Sequence, residues 1–179
     1  TSMVIWTTTP WTLPSNRSVA VNSKFNYILI SDNVENYIIA EDLFEKFNER
    51  IDKELHIIAK CSGSDLINQK INHPFLNYVI SIIDSDHVTT DSGTGCVHIA
   101  PAHGSEDFIL GKKHKLEILN PILSNGIFSG EPEKLNGTHV YKLDEPIVQI
   151  LLDNNCLLNK NKFRHSYPHC WRHKTPLIY

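Results

Sequence analysis

Three consecutive threonines followed by a proline are the first residues in this sequence whose types suit chemistry on a bound ligand. The run Thr7–Thr9 precedes Pro10, and the same polar stretch continues to Asn16. A hydroxyl both donates and accepts hydrogen bonds, so these residues could hold a ribose, an ester carbonyl or a water molecule. Because proline halts sheet pairing, their hydroxyls are left to face a ligand. The alternative interpretation is a threonine-rich strand followed by a proline-rich loop.

A second stretch runs from Gly93-Thr94-Gly95 to Asp107 and contains two histidines. Gly-Thr-Gly precedes a strand over Gly95–Ile99 and not a helix, which excludes the dinucleotide fingerprint. His98, on that strand, lies close enough to Asp107 in sequence to suggest acid–base chemistry. The alternative is that His98 is a structural histidine, and His103 has the same ambiguity.

Asp107 belongs to a predicted helix whose N-cap is Ser105 and which runs through Phe108–Leu110. In the first turn of a helix the backbone dipole stabilises a carboxylate, so we expect Asp107 to be ionised at neutral pH. An ionised, partly shielded carboxylate suits the binding of an α-ammonium group. The alternative is that Asp107 is only a helix-terminal charge.

Short strands must position these residues. Alternation and β-branched content predict strands at Val4–Thr8, Ser18–Val21, Tyr27–Ser31, Tyr37–Ala40, Leu55–Lys60, Tyr78–Ile83 and Gly95–Ile99. We also predict a helix at Glu41–Asn48, a hairpin turn at Asn125-Gly126, and a helix capped by Asp144 that ends at Asn154-Asn155. Pro14 is expected to keep its segment out of regular structure. These elements predict a mixed α/β fold, with a curled, barrel-like β-sheet and a few peripheral helices.

The composition indicates one soluble globular domain over residues 1–179. Hydrophobic residues make up 41% of the chain and charged residues 21%, and the formal net charge is −3. This charge argues against broad polyanion binding, so any contact with RNA must be local or shared with another domain. Four scattered cysteines fit a reduced, intracellular setting. Both ends lie in apolar stretches, which suggests a piece of a longer polypeptide.

Together, the two polar stretches resemble the editing domain inserted into isoleucyl-tRNA synthetase, a class I aminoacyl-tRNA synthetase. A third segment, His165–Pro176, resembles the region where that enzyme's chain returns to its catalytic core, so residues 165–179 are the expected return segment. Valyl relatives typically carry Arg-Pro-Glu where this chain has Thr9-Pro10-Trp11, and a lysine at the position of His98. Both departures favour the isoleucyl assignment.

The resemblance implies a proofreading hydrolase that releases valine from mischarged valyl-tRNA(Ile), with valyl-adenylate as a second candidate substrate. Asp107 would hold the α-ammonium group, and Thr8 and Thr9 would act at the ester, the terminal ribose or the attacking water. His98 would line the side-chain pocket and help to refuse isoleucine. The implied substrate-binding set is completed by Thr7, Trp11 and Asn16.

Such a site is needed because an isoleucine-sized pocket cannot sterically exclude valine, and isoleucyl-tRNA synthetase is itself the usual example of this argument. No serine or cysteine in the motifs has a convincing nucleophile arrangement. We therefore expect direct attack by water on the aminoacyl ester, assisted by a hydroxyl of the terminal adenosine.

The resemblance also implies the partners and the setting. The expected partners are the 3′ acceptor end of tRNA(Ile) carrying valine and the catalytic core of the same synthetase chain, in the cytoplasm, with a monomeric domain and no membrane. No cofactor is expected in this chain. ATP and magnesium would serve only the synthetic site of the parent enzyme, whose His-Ile-Gly-His and Lys-Met-Ser-Lys-Ser signatures this sequence lacks.

Two other functions stay open. A noncatalytic module could grip the acceptor end through Lys160 and Lys162, and a metallohydrolase could use His98, His103 and Asp107. We expect no metal site at Cys170 and His173, because Tyr167 occupies the place where some relatives have an earlier cysteine. The run Lys112-Lys113-His114-Lys115 is interpreted as a solvated helix end. Two alternatives stay open for Lys160, Lys162, Arg164 and Arg172: contact with RNA phosphates, or a solvated surface.

Overall fold

The computed structural model describes residues 1–161 and 167–178. Their strands are β1 (Ser2–Met3), β2 (Ser18–Val21), β3 (Asn26–Ser31), β4 (Asn36–Ala40), β5 (His56–Ser62), β6 (Lys70–Asn72), β7 (Val79–Asp84) and β8 (Val97–Ile99). The α-helices are α1 (Phe44–Asn48), α2 (Gly63–Leu66), α3 (Ser105–His114) and α4 (Asp144–Asp153). Short 3₁₀ helices are η1 (Pro10–Ser15), η2 (Glu41–Leu43), η3 (Glu133–Leu135) and η4 (Val140–Lys142).

The strands form two four-stranded sheets, with the orders β1-β4-β3-β5 and β6-β7-β2-β8. In the second sheet β2 runs parallel to β7 and antiparallel to β8, so that His98 pairs with Val19. The mixed α/β prediction is confirmed. Within the described part of the chain both sheets remain open, so the barrel-like detail stays a prediction.

Two large apolar clusters pack beneath the elements that carry the candidate residues. One lies against the sheets and includes Val19, Tyr27 and Ile82. The other packs Trp11 and Leu13 of η1 on α4 and its neighbours, and its remaining buried members are Phe128, Leu135, Val140, Leu143, Ile147, Ile150 and Leu151. The segment η1 is thus clamped between the sheets and α4. None of the helices that the structure describes is long and apolar enough to span a membrane.

A glycine two residues before β8 lies against the first sheet. Gly95 has a φ of +72°, and a Cβ added there would lie 2.3 Å from the Cβ of Ala40. The Tyr27 hydroxyl donates to the Gly95 carbonyl at 2.7 Å, and the Ala40 N–H donates to Thr94 O at 2.8 Å. Only glycine tolerates both the left-handed backbone and this close approach. The strand that carries His98 is therefore anchored on the first sheet.

Six of the seven predicted strands are confirmed to within two residues at each end, but the strand at Val4–Thr8 is wrong. The chain leaves the sheet after the Val4 N–H donates to Ile38 O at 3.2 Å. Beyond that point the Thr7 hydroxyl accepts the Thr9 N–H at 3.1 Å. A local side-chain bond of this kind competes with the strand ladder and turns the chain.

The helix predictions are correct in place but not at their caps. Pro14 lies inside η1, so its segment is regular after all, and Pro10 occupies the first helical position, where a missing N–H costs nothing. Asp144 is the first residue of α4 and not its cap, because its carboxylate accepts from the distant Trp11 N–H. Gly104, not Ser105, is the N-cap of α3. The hairpin at Asn125-Gly126 is confirmed by a bridge between Ile122 and Phe128.

Candidate functional site

The threonine segment forms a tight turn with two hydroxyls on one side. The Thr7 and Thr9 hydroxyl oxygens lie 3.4 Å apart, and the Thr9 carbonyl accepts from the Thr12 N–H at 3.1 Å and from the Thr12 hydroxyl at 2.9 Å. Thr8 is half-buried, and among the described residues its hydroxyl has no hydrogen-bond partner. The hydroxyl of Thr8 can therefore turn toward a ligand without breaking an internal bond.

The ring of His98 is held by two residues of the η1 region. Its Nε2 lies 3.0 Å from the Thr12 hydroxyl, and its Nδ1 lies 3.1 Å from Nδ2 of Asn16. Desolvation, with smaller contributions from His73 and His103, lowers the pKa of His98 to about 4. The imidazole is therefore neutral at physiological pH, with both of its nitrogens engaged.

Asp107 lies in the first turn of α3, as predicted, and its carboxylate turns back toward the end of β8. Its Oδ2 accepts the Ala100 N–H at 2.8 Å. Burial raises the pKa of Asp107, while the bond from Ala100 opposes this change. The helix dipole alone would lower the pKa, so burial is the stronger effect here. Because Ala100 follows His98 by two residues, Asp107 binds the backbone about 7 Å from His98 along the strand.

His103 and Trp11 lie beside this group and pack against each other. The His103 Nε2 is 2.9 Å from the Ser15 hydroxyl, and its ring meets the Trp11 ring edge-on at 4.9 Å between centroids. Trp11 is 9% exposed and belongs to the apolar cluster under η1. Its place in the structure is that of a packing residue that shapes the site from below, and its predicted contact with substrate remains untested.

The metallohydrolase alternative gains no support from the side-chain arrangement. His98, His103 and Asp107 each bind a different partner, as described above. Over residues 1–161 and 167–178, no three His, Cys, Asp or Glu side chains are grouped so that they could hold a metal ion.

Sequence reasoning missed the residues that support the site from the rear. The Asn16 carbonyl accepts from the Tyr78 hydroxyl at 2.7 Å and from Arg17 Nη1 at 2.9 Å, and the Leu13 carbonyl lies 3.0 Å from Nε2 of the buried His73. No motif marks Tyr78 or His73. Thr12 was open to prediction, because it continues the threonine-rich stretch three residues after Thr9.

The basic residues considered above lie outside this group. Lys160 forms an ion pair with Glu145 at 2.6 Å, and the Arg172 guanidinium lies 4.9 Å from the centre of the Trp171 ring. Lys112 lies over Phe108, in the last turns of α3 where basic residues were expected. The predicted contacts of Lys162 and Arg164, and the start of the third segment at His165 and Ser166, fall outside the described residues.

Comparison with known proteins identifies the family. The family model described as "Leucyl-tRNA synthetase, editing domain" matches residues 1–142, which include every residue of the site. An isoleucine–tRNA ligase of Shewanella pealeana is 46% identical over 183 residues, and one of Photobacterium profundum is 45% identical over 187 residues. Each alignment covers 99% of this chain and 20% of the relative, so the chain spans about a fifth of the length of these curated relatives.

Solved structures agree on the fold. The crystal structure of GlLeuRS-CP1 superposes with a TM-score of 0.71 at 17% identity, over 89% of this chain and 84% of that one. The editing domain of the P. knowlesi cytosolic leucyl-tRNA synthetase gives a TM-score of 0.60 at 12% identity, over 85% and 81%. At these identities the structures show the fold alone. The chain belongs to the family of aminoacyl-tRNA synthetase editing domains, and its curated relatives are isoleucine–tRNA ligases.

Proposed function

We propose that this chain hydrolyses the ester bond of valyl-tRNA(Ile) as a proofreading step of isoleucyl-tRNA synthesis. The observation that carries the proposal is that the stretches Thr7–Asn16 and Gly93–Asp107, which are distant in sequence, meet in the structure. The surface that they form together is called the wall below. Hydrogen bonds connect Thr9 through Thr12 and His98 to Asn16, and Asp107 binds the backbone two residues beyond His98. The family and the relatives described above support this reading of the wall.

The wall offers one group for each part of an aminoacyl ester. Asp107 is the carboxylate that would bind the α-ammonium group, because a partly buried carboxylate forms strong charge-assisted hydrogen bonds. Thr8, with its uncommitted hydroxyl, and Thr9 would act at the ester carbonyl, the ribose or the attacking water, and Thr7 would support them. His98, neutral and fixed by two partners, would bound the pocket for the amino-acid side chain.

The hydrolysis needs no covalent intermediate in this proposal. Cys96 is the only cysteine in the two motifs; it is 2% exposed, and burial raises the pKa of its thiol, so it does not supply a thiolate. Water attacks the ester carbonyl, and the bond between the carbonyl carbon and the ribose oxygen breaks. The proton that the water loses passes to that ribose oxygen, which leaves as a hydroxyl, either directly or by relay through the neighbouring hydroxyl of the same ribose. We assign no resident cofactor to these steps; ATP and magnesium belong to the synthetic site of the full-length enzyme.

The partners follow from the same proposal. The substrate is the 3′ acceptor end of tRNA(Ile) carrying valine, and the catalytic core of the same synthetase delivers it to the wall. Valyl-adenylate, which carries the same amino acid on an activated carbonyl, is a second candidate substrate. The domain acts as a monomer within the cytoplasmic enzyme.

The decisive experiment is deacylation of valyl- and isoleucyl-tRNA(Ile) by this chain, with Asp107→Ala in parallel. We expect valine release by the wild type and a loss of at least about 100-fold in the variant, because the substrate's ammonium loses its anchor and the ester is misplaced. Glu106→Ala is the matched control, since it removes the adjacent exposed carboxylate of the same helix turn. It should leave the rate unchanged.

The selectivity for valine over isoleucine is measured separately. His98→Ala should enlarge the pocket, so that isoleucyl-tRNA(Ile) becomes a substrate, while valine release becomes slower but does not disappear. Valine release that survives Asp107→Ala, in this chain and in the full-length enzyme, would refute the proposed function. RNA binding without turnover in both proteins would instead favour the noncatalytic binding module.

A further inference from the structure

Asn16 forms hydrogen bonds through its backbone N–H, its backbone carbonyl and the nitrogen of its side-chain amide. Its N–H donates to Leu13 O at 3.0 Å, and its carbonyl accepts the two rear donors described above. Its Nδ2 donates to Ser18 O at 3.1 Å and lies 3.1 Å from Nδ1 of His98. Because only 3% of Asn16 is exposed, it cannot reach a substrate as freely as the threonines can.

These contacts fix the orientation of the amide. The Ser18 carbonyl can only accept, so the atom that faces it must be the amide nitrogen and not the oxygen. The second hydrogen of the same nitrogen then points at Nδ1 of His98. Nδ1 must therefore carry a lone pair, and the proton of the neutral ring resides on Nε2.

The orientation continues through Thr12. Nε2 of His98 donates to the Thr12 hydroxyl, and the Thr12 hydrogen goes to Thr9 O at 2.9 Å. Each hydrogen in this row of hydrogen bonds has one acceptor. Reversing any of the bonds would set two donors or two acceptors against each other. The chain of four groups therefore has a single direction, from Asn16 to the carbonyl of Thr9.

We propose that Asn16 is a positioning residue, which holds His98 as the Nε2–H tautomer and through it directs the Thr12 hydroxyl onto the Thr9 carbonyl. The proposal rests on the proposed function and deepens it, by replacing the substrate contact expected for Asn16 with an indirect role. It also assigns His98 a fixed donor role. With Nδ1 occupied by an N–H and Nε2 protonated, the ring neither removes a proton from water nor binds a metal ion.

The direct test is the protonation state of the His98 nitrogens. In the ¹⁵N-histidine-labelled chain, long-range ¹H–¹⁵N spectra distinguish protonated from unprotonated ring nitrogens, and the His98→Gln variant identifies the signals. We expect an unprotonated Nδ1 and a protonated Nε2, unchanged between pH 6 and pH 8. A protonated Nδ1 in the wild type over this range would overturn the proposal.

Two substitutions test whether Asn16 is the cause. Asn16→Ala removes the donor to Nδ1, so a population with protonated Nδ1 should appear. Asn22→Ala is the matched control: Asn22 is also a buried asparagine, at 5% exposure, but its amide donates to Val88 O, away from His98. Asn22→Ala should leave the His98 signals as they are. A wild-type nitrogen pattern in folded Asn16→Ala would contradict the assigned role.

Kinetics separate positioning from contact with substrate. In Asn16→Ala we expect kcat for valyl-tRNA(Ile) to fall about 10- to 100-fold, as for other residues that orient a functional side chain, with KM nearly unchanged. A rise in KM at constant kcat would place Asn16 against the substrate and overturn the proposal. The nitrogen spectra need no substrate, so they decide the tautomer even if the isolated chain shows no turnover. Asp107→Ala in the same assay tests the proposed function separately.

Discussion

Two polar networks in this chain can be compared directly. The site network, Asn16, His98, Thr12 and Thr9, joins residues 82 and 86 positions apart and contains no charge. The hairpin network, Asp32, Glu35, Tyr37 and Lys53, surrounds the turn between β3 and β4, where Lys53 donates to Asp32 and to the Tyr37 hydroxyl. Tyr37 in turn donates to Glu35 at 2.9 Å.

The two networks place their protons by different means. In the hairpin network the Lys53 ammonium and two backbone N–H groups hold the pKa of Asp32 well below its usual range, so charge maintains the bonds. In the site network, desolvation lowers the pKa of His98 and keeps the ring neutral, so geometry determines each proton. A neutral, part-buried bond depends strongly on its partner, whereas the partly exposed ammonium of Lys53 can exchange its partner for water.

Acidification should lower the free energy of unfolding through the two networks in different pH ranges. This is the largest effect on stability that we expect. His73 and His98 have a pKa of about 4 in the folded chain against 6.5 ordinarily, so between these values the unfolded chain binds protons that the folded chain does not. The free energy of unfolding therefore falls as the pH drops from 6.5 to 4, by roughly 3 kcal/mol for His73. The pKa of Asp32 is lowered in the folded chain, so its contribution to the free energy of unfolding is complete above pH 3.8. It is lost only as the pH falls below that value.

Urea unfolding at pH 7 and pH 4.5 measures this dependence. His73→Gln should be less stable than the wild type at pH 7 but should lose less stability on acidification. Taking the difference between the two proteins cancels the opposite contributions of Asp107 and Asp144, whose pKa burial raises. Equal losses in the wild type and in His73→Gln would show that His73 is not neutral in the folded chain.

Thr12→Val should have the next largest effect. The change removes the hydroxyl that links His98 to Thr9 while it keeps the shape of the side chain. It leaves the Nε2–H of His98 without an acceptor, at a cost of about 1–3 kcal/mol in the free energy of unfolding at pH 7. Thr89→Val, at an exposed threonine, is the control and should stay within about 0.5 kcal/mol of the wild type. Equal stability of both variants would mean that the Thr12 bond contributes nothing.

Lys53→Met should have the smallest effect. The Lys53 side chain is 41% accessible and that of Asp32 is 7% accessible, so salt reaches the pair from the side of the ammonium and weakens it. We expect a smaller decrease in Tm than for Thr12→Val, and a decrease that shrinks further in 1 M NaCl. A loss that equals that of Thr12→Val and is insensitive to salt would remove the contrast between the two networks.

The sequence predicted most of the regular elements because their signals are local. β-Branched and aromatic residues located β2, β3 and β4, and the apolar face of α4 placed that helix correctly. The errors arose where a side chain competes with the backbone. Thr7 captured the Thr9 N–H and turned the predicted strand, and Asp144 accepted from Trp11 across 133 positions instead of capping its own helix.

The candidate site shows the same contrast between what local sequence signals predict and what only the fold determines. The types of Thr8, Thr9, His98 and Asp107 and the family resemblance selected these residues. The structure links Thr9 to His98 through Thr12 and places the Asp107 carboxylate on the backbone two residues beyond His98. The bonds that orient the wall could not be predicted, because spacing along the chain does not reveal which hydroxyl meets which ring nitrogen. Asn16 was chosen by resemblance, but its place behind His98 required the fold.

The distance in sequence across the site network also bears on how the protein folds. The bond between Asn16 and His98 closes a loop that contains β2 to β7, almost all of both sheets. Closing so long a loop costs chain entropy that must be offset by pairing of distant strands, which makes such contacts slow to form. Recovery of site geometry after dilution from denaturant should therefore report the completion of folding, later than the formation of α4.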